Sequence, residues 1–234
     1  MTGDLAAHRE TRDAEVGGED GWLALIAQHL LEDGVQELEG VGRVELAGTR
    51  VTIDGEAVTL DDERVVGITG GRTVQRVVRG GRVALRVRAP GARRGFSGIP
   101  VWAEDSRYRV PATWTLLDVP REIQLAYTIG TTTPRIARGA LKFTLNNVPC
   151  TLLALDEEDG LLFVPFRDAT SGRESYGAGR YLWAEPPDEH GITVLDFNRA
   201  ASPACAFTPH AACPIPPPEN KLLVAILAGE KVMP

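Results

Sequence analysis

From Val44 onward the chain carries no helical period of useful length and takes up a period of two. Val44, Leu46, Val51 and Ile53 alternate with mostly polar neighbours, and Val83, Leu85 and Val87 do so again. Strict alternation sends one kind of side chain to each face of a strand. A doubly wound parallel sheet needs a helix in nearly every crossover, and none is legible here. The pattern therefore predicts a mainly β protein, an antiparallel sandwich or barrel-like fold.

The turn residues divide the alternation into strands. Asp54-Gly55 and Gly80-Gly81 are hairpin signals, as is Asn146-Asn147 between 141–145 and 150–155. Further short strands are expected at 113–117, 123–127 and 161–166, the last after a turn over 156–160. The segment 180–183 is expected to pair with the one holding Leu195 and Phe197, and 221–228 reads as a final strand. Before the alternation, Trp22, Leu23, Leu25, Ile26, Leu30 and Leu31 recur at helical spacing until Asp33-Gly34. They predict one N-terminal helix over 22–33. Residues 1–21 read as a flexible segment, frayed or helical without much burial, 22–93 as a helix with a small β lobe, and 94–234 as the main β domain.

An apolar fraction of 43% in 234 residues is ample for a core. The net charge of −7 argues against a general nucleic-acid binder. No apolar run approaches the ~20 residues of a membrane span. The acidic start lacks the order of a signal peptide, so a cytoplasmic location is expected. Three cysteines are too few for a disulfide scaffold, and free thiols are expected in a reducing compartment.

The stretch 163–220 concentrates Gly, Pro, two cysteines, two histidines and polar residues in apolar surroundings. It is therefore the expected functional surface. Asp196 and Asn198, two apart around Phe197, should share a strand face with Arg180 in reach. Such a cluster is either a buried polar network or a site for a carboxylate or phosphate. Asp168, Thr170 and Ser171 before Gly172 read as a turn capped by its own side chains. Cys205, His210 and Cys213 form a C-x4-H-x2-C set. Packed thiols, a bridge, three zinc ligands or a Cys–His pair would each fit that spacing, with packed thiols preferred and no metal or cofactor expected. Gly177-x-Gly179 is a weak match to a phosphate loop, since no helix follows it.

The phrases DATSGRESYGAGRYL (168–182), LDFNRA (195–200), CAFTPHAACPIPPPEN (205–220) and AGEK (228–231) together resemble the bacterial family known as domain of unknown function 1684. The resemblance covers about 94–231 well and 22–88 only loosely. It places the family's signature on Asp168, Thr170, Ser171, Gly172, Tyr176, Gly177, Gly179 and Arg180. The signature continues on Asp196, Phe197, Asn198, Cys205, Phe207, Pro209, Cys213, Pro214, Glu219, Asn220, Gly229 and Glu230. This chain has Ala201-Ser202-Pro203-Ala204, His210 and Ala212 where the family pattern has Y-N-P-P, a tyrosine and a threonine, so His210 is not a family ligand. The family implies no reaction.

The expectation is a pocket for a small anionic molecule beneath 163–220, with or without turnover. Arg180, Asp196, Asn198, Tyr176 and Asp168 are its candidate contacts, with Arg180 as the anion clamp. Cys205 and Cys213 would shape its wall. Two alternatives stay open: a non-catalytic interaction module using the arginine-rich 72–94 face, and a Cys- or metal-dependent hydrolase.

Overall fold

The computed structural model describes residues 4–54, 65–68, 70–79, 82–156 and 160–233. The chain divides into two compact units, Asp13–Ser97 and a second made of Met1–Arg12 with Gly98–Pro234. Among the described residues no helix is long and apolar enough to cross a membrane.

The N-terminal helix exists, but not where the apolar spacing puts it. Helix α1 is Leu5–Gly17. Its sequence is rich in Ala, Glu and Arg, which lose little entropy in a helix. The Asp4 carboxylate accepts from Ala6 N at its start. Gly17 ends it where any Cβ would collide with the Phe96 ring, and Arg93 donates to the Gly17 carbonyl at 2.7 Å. The expected helix over 22–33 is corrected. Only Trp22–Ala24 form a 3-10 turn, and strand β1 (Leu25–Leu30) follows at once. A short apolar run is ambiguous in period, and a sheet edge with unpaired backbone groups decides it.

That edge belongs to the strand Arg82–Arg88. The first unit also holds β2 (Gly34–Leu38), β3 (Gly42–Ala47), β4 (Arg50–Ile53), β5 (Val65–Ile68), β6 (Arg72–Arg79) and β7 (Arg82–Arg88). They form a four-stranded sheet, β1-β7-β6-β5, and a three-stranded sheet, β2-β3-β4, antiparallel throughout. The alternating Val44, Leu46, Val51 and Ile53 of one sheet meet Val74, Val83, Leu85 and Val87 of the other in one core. Gly55, Val58 and Leu60, and the Gly80-Gly81 turn, lie outside the described residues. The arginine-rich face is largely occupied. Arg72 donates to Gly40 O, Arg86 to Gln28 and Arg88 to Gln75, and Arg86 lies over the Trp22 ring.

The second unit is one six-stranded antiparallel sheet. Its strands are β8 (Arg109–Ala126), β9 (Thr132–Leu145), β10 (Val148–Asp156), β11 (Leu162–Phe166), β12 (Arg180–Ala184) and β13 (Ile192–Asp196), in the order β12-β11-β10-β9-β8-β13. Asn146 and Asn147 both have positive φ (52° and 61°) and join Leu145 to Val148, the tight hairpin the dipeptide predicts. Residues 157–159 of the expected 156–160 turn lie outside the described residues. The expected pairing of 180–183 with the segment holding Leu195 and Phe197 is corrected: β12 and β13 are the two edges of the sheet and do not pair with each other. Each pairs inward, with β11 and β8; across the gap Tyr181 and Ala201 exchange both backbone hydrogen bonds, and Thr193 Oγ1 donates to Glu185 O at 2.8 Å. The sheet is thus a nearly closed barrel with a seam. Leu141, Leu152, Val164, Phe166, Leu182, Leu195 and Phe197 fill it, while Leu125, Ala137, Leu155, Phe163 and Tyr181 form a separate cluster.

The expected final strand over 221–228 is also corrected. Leu222, Val224, Ile226 and Ala228 do alternate inward, but the segment is extended chain without a ladder. Its backbone is held mainly by side chains and loops. Ile226 N donates to Asp168 Oδ2, Ala169 N to Val224 O, and Leu222 N to Arg167 O. Asn220 is fully buried and acts as a substitute peptide between β10 and β11. Its amide donates to Leu153 O and Pro165 O and accepts from Leu153 N, all within 2.9 Å.

Candidate functional site

The 163–220 signature resolves into three places with different chemistry. The first is closed. Arg180 has no exposed surface; it donates to Ala228 O and Ile226 O at 2.5 and 2.9 Å and lies 3.4 Å from Asp168 Oδ1. Trp102 and Phe166 flank its guanidinium at 5.2 and 5.4 Å. Burial lowers its pKa, and the Asp168 carboxylate opposes that shift. Asp168 also accepts from Thr170 and Ser171, which make the expected capped turn. Arg180 and Asp168 therefore hold the C-terminal tail to the barrel. The expected reach of Arg180 to Asp196 or Asn198 is not realised, and its donors face carbonyls rather than a pocket. Gly179 belongs to the same joint. At φ 104°, a Cβ there would sit 2.5 Å from Phe166 O, so close approach rather than phosphate binding requires the glycine.

The second place is open. Asp196 ends β13 and caps the 3-10 turn Phe197–Arg199, so Asn198 is not on the strand at all. The pair still touches: Asn198 Nδ2 donates to Asp196 Oδ1 at 2.9 Å and to Asp105 O at 3.1 Å, and Asn198 Oδ1 accepts from Asp105 N. Asn198 is buried, whereas Asp196 lines a cleft of about 720 Å3 along the seam between β12 and β13. Trp183 and Val194, both part-exposed, come from the two unpaired edges. Arg109 stands opposite Asp196 in the β8–β13 register, Arg199 Nε lies 3.6 Å from Asp196 Oδ2, and His8 enters from α1. Burial lowers the His8 pKa, and the nearby Arg199 and Arg12 lower it further. Its bond to the Arg199 backbone pulls the other way, as does Glu230. A neutral imidazole follows near pH 7. Glu104, Glu185 and Asp188 complete the charged rim. Asp188 is held below the usual carboxylate range by accepting from the Ile192 and His190 amides. His8, Arg109 and Trp183 were not foreseen in this role. Their spacing in sequence carries no signal, because the cleft brings together residues from four separate segments.

The third place is the thiol pair. Cys205 sits half-buried on the 3-10 turn Ala204–Ala206, and Cys213 is buried beyond it. Cys205 N donates to Cys213 Sγ at 3.2 Å. Thr128 locks Cys213 from both sides: its N donates to Cys213 O and its hydroxyl accepts from Cys213 N. Tyr176 OH donates to Cys205 O at 2.9 Å, and Tyr181 OH to Pro214 O. The Cys213 thiol donates to the Cys205 sulfur and brings its pKa down to about 7 against the opposing effect of burial. Tyr176 and Thr128 add to the shift. Cys213, which gives that hydrogen bond and is itself buried, is pushed up, as is Tyr176 by burial. Cys150 is apart, buried in β10, with its thiol also raised by burial. His210 directs its backbone to Thr208. Among the described residues no group of three or more His, Cys, Asp or Glu side chains is placed to hold a metal ion.

Comparison with known proteins bears on the barrel unit. No curated protein matches the chain. It is similar to an uncharacterised protein of Haloarcula marismortui, solved in solution by NMR. The identity is 36%, over 61% of this chain and 80% of that one, with a TM-score of 0.51. Residues 94–231 match the family described as protein of unknown function (DUF1684), more than half of the chain and all of its barrel strands, and the protein belongs to that family.

Proposed function

We propose that the protein binds a small molecule bearing a single anionic group in the seam cleft. The supporting observation is the convergence of Arg109, Arg199 and neutral His8 beside the exposed Trp183 in one cleft of about 720 Å3, a size suited to a metabolite. The two guanidinium groups would take a carboxylate or phosphate, and Trp183 offers an apolar wall. Glu104, Glu185, Asp188 and Asp196 share the rim, so the local charge disfavours polyanions and favours a ligand that also presents hydroxyl or amino donors. Asp196 is retained from the expected contacts, and Asn198 orients it from behind. Arg180, Asp168 and Tyr176 act on the framework instead.

The test is calorimetry and thermal shift with a panel of small monocarboxylates and phosphate monoesters, against pyrophosphate and nucleoside triphosphates at matched ionic strength. A monoanion should stabilise the protein, and Arg109→Ala should abolish the shift while leaving the unliganded melting temperature within a degree or two. Equal stabilisation by polyanions, or an unchanged response in Arg109→Ala, would overturn the reading.

A further inference from the structure

The cleft leaves one reactive arrangement unused. Cys205 and Cys213 are eight residues apart, and the chain between them folds back so that the first residue's amide points at the second residue's sulfur. A sulfur that accepts from its partner's own amide is within a side-chain rotation of the partner sulfur. Cys205 is half-buried and reachable, whereas Cys213 is buried behind it. Tyr176, whose hydroxyl donates to Cys205 O, and Thr128, whose hydroxyl donates to Ala211 O and accepts from Cys213 N, border the pair, and Tyr181 lies close by with its hydroxyl on Pro214 O.

We propose that Cys205 and Cys213 form a peroxide-reactive dithiol site, with Cys205 as the attacking thiolate and Cys213 as the resolving thiol. The Cys205 sulfur attacks one oxygen of hydrogen peroxide. The O–O bond breaks, and the departing hydroxide takes a solvent proton and leaves as water. The Cys205 sulfur is oxidised by two electrons to the sulfenic acid. The Cys213 sulfur then attacks that sulfenic sulfur, the S–O bond breaks, and hydroxide leaves with the Cys213 proton as a second water. The product is a Cys205–Cys213 disulfide. Cys150, isolated in β10, takes no part.

Attack requires the thiolate, so the rate should rise with pH through about 7, the ionisation of Cys205 in this setting. Removing the Tyr176 or Thr128 hydroxyl should move that midpoint upward. The experiment treats the fully reduced protein with stoichiometric hydrogen peroxide and reads intact mass and a peptide map. The wild type should lose two mass units, with the bond mapped to Cys205 and Cys213 and Cys150 still alkylatable. Cys213→Ser should instead trap the sulfenic acid as a dimedone adduct on Cys205, and Cys205→Ser should do neither. Tyr176→Phe keeps the ring and should shift the alkylation midpoint of Cys205 to higher pH while the melting temperature changes little. Addition of oxygen without loss of two mass units, a Cys205 midpoint near that of a free thiol, or oxidation of Cys150 as fast as Cys205 would each overturn the proposal.

Discussion

Arg180 and Arg109 are the same residue type in one barrel, and they do opposite work. Arg180 lies inside, with no exposed surface, bound to three main-chain carbonyls of the tail and to Asp168. Arg109 lies at the seam, exposed, opposite Asp196 across a strand pair. The first replaces a missing ladder: the C-terminal segment has strand-like burial but no strand neighbour, and a five-donor side chain supplies the bonds a neighbour would make. The second borders the one gap where two edges stay unpaired. The densest part of the signature therefore marks where irregular chain is fastened, and the open chemistry sits where the sheet fails to close.

The largest test of this contrast is Arg180→Ala. It leaves three tail carbonyls without their donor and the buried Asp168 carboxylate without its cationic partner, and should cost about 3–5 kcal/mol in urea unfolding. A loss under about 1 kcal/mol would show that the tail holds without the clamp. Asn220→Ala comes next, since it removes three buried hydrogen bonds between β10 and β11. A loss of about 2–3 kcal/mol is expected by the same measurement, because the stranded peptide groups cannot reach water.

A smaller effect comes from pH. The His8 pKa is lower in the folded protein than its ordinary value of 6.5. The unfolded chain therefore binds the proton first, and stability should fall as pH drops below about 6.5, down to the folded value. His8→Gln should flatten that part of the stability profile. The smallest effect is that of Arg109→Ala, within about 0.5 kcal/mol, since an exposed cross-strand pair contributes little. A large loss there would move Arg109 into the fastening class and erase the contrast.

Much of the fold was legible because alternation and turn chemistry are local. Asn146-Asn147 needs positive φ at both residues, and asparagine tolerates it, so the hairpin could be read from two letters. The helix was misplaced for a reason equally local. Leu25–Leu30 suits either period, and only the open edge of β7 makes it a strand. Leu5–Gly17 has few apolar residues to signal a face, so its helix rests on propensity rather than on periodicity. In the candidate site, Asp196 and Asn198 were legible as a touching pair, but as a capped turn rather than a strand face.

By itself the sequence determined a β architecture, most of its turns, the family, and the presence of a polar, thiol-bearing stretch near its end. Those properties depend on neighbours within a few residues or on a long motif string. Tertiary structure alone decided which polar residues are spent and which are available. Arg180 is spent because Ile226 and Ala228, some 46 and 48 positions later, present carbonyls to it. Asp196 is available because Arg109, Trp183 and His8 arrive from three other segments. A side chain's desolvation and hydrogen-bond partners follow from residues far away in the chain, and spacing within one stretch carries no record of them.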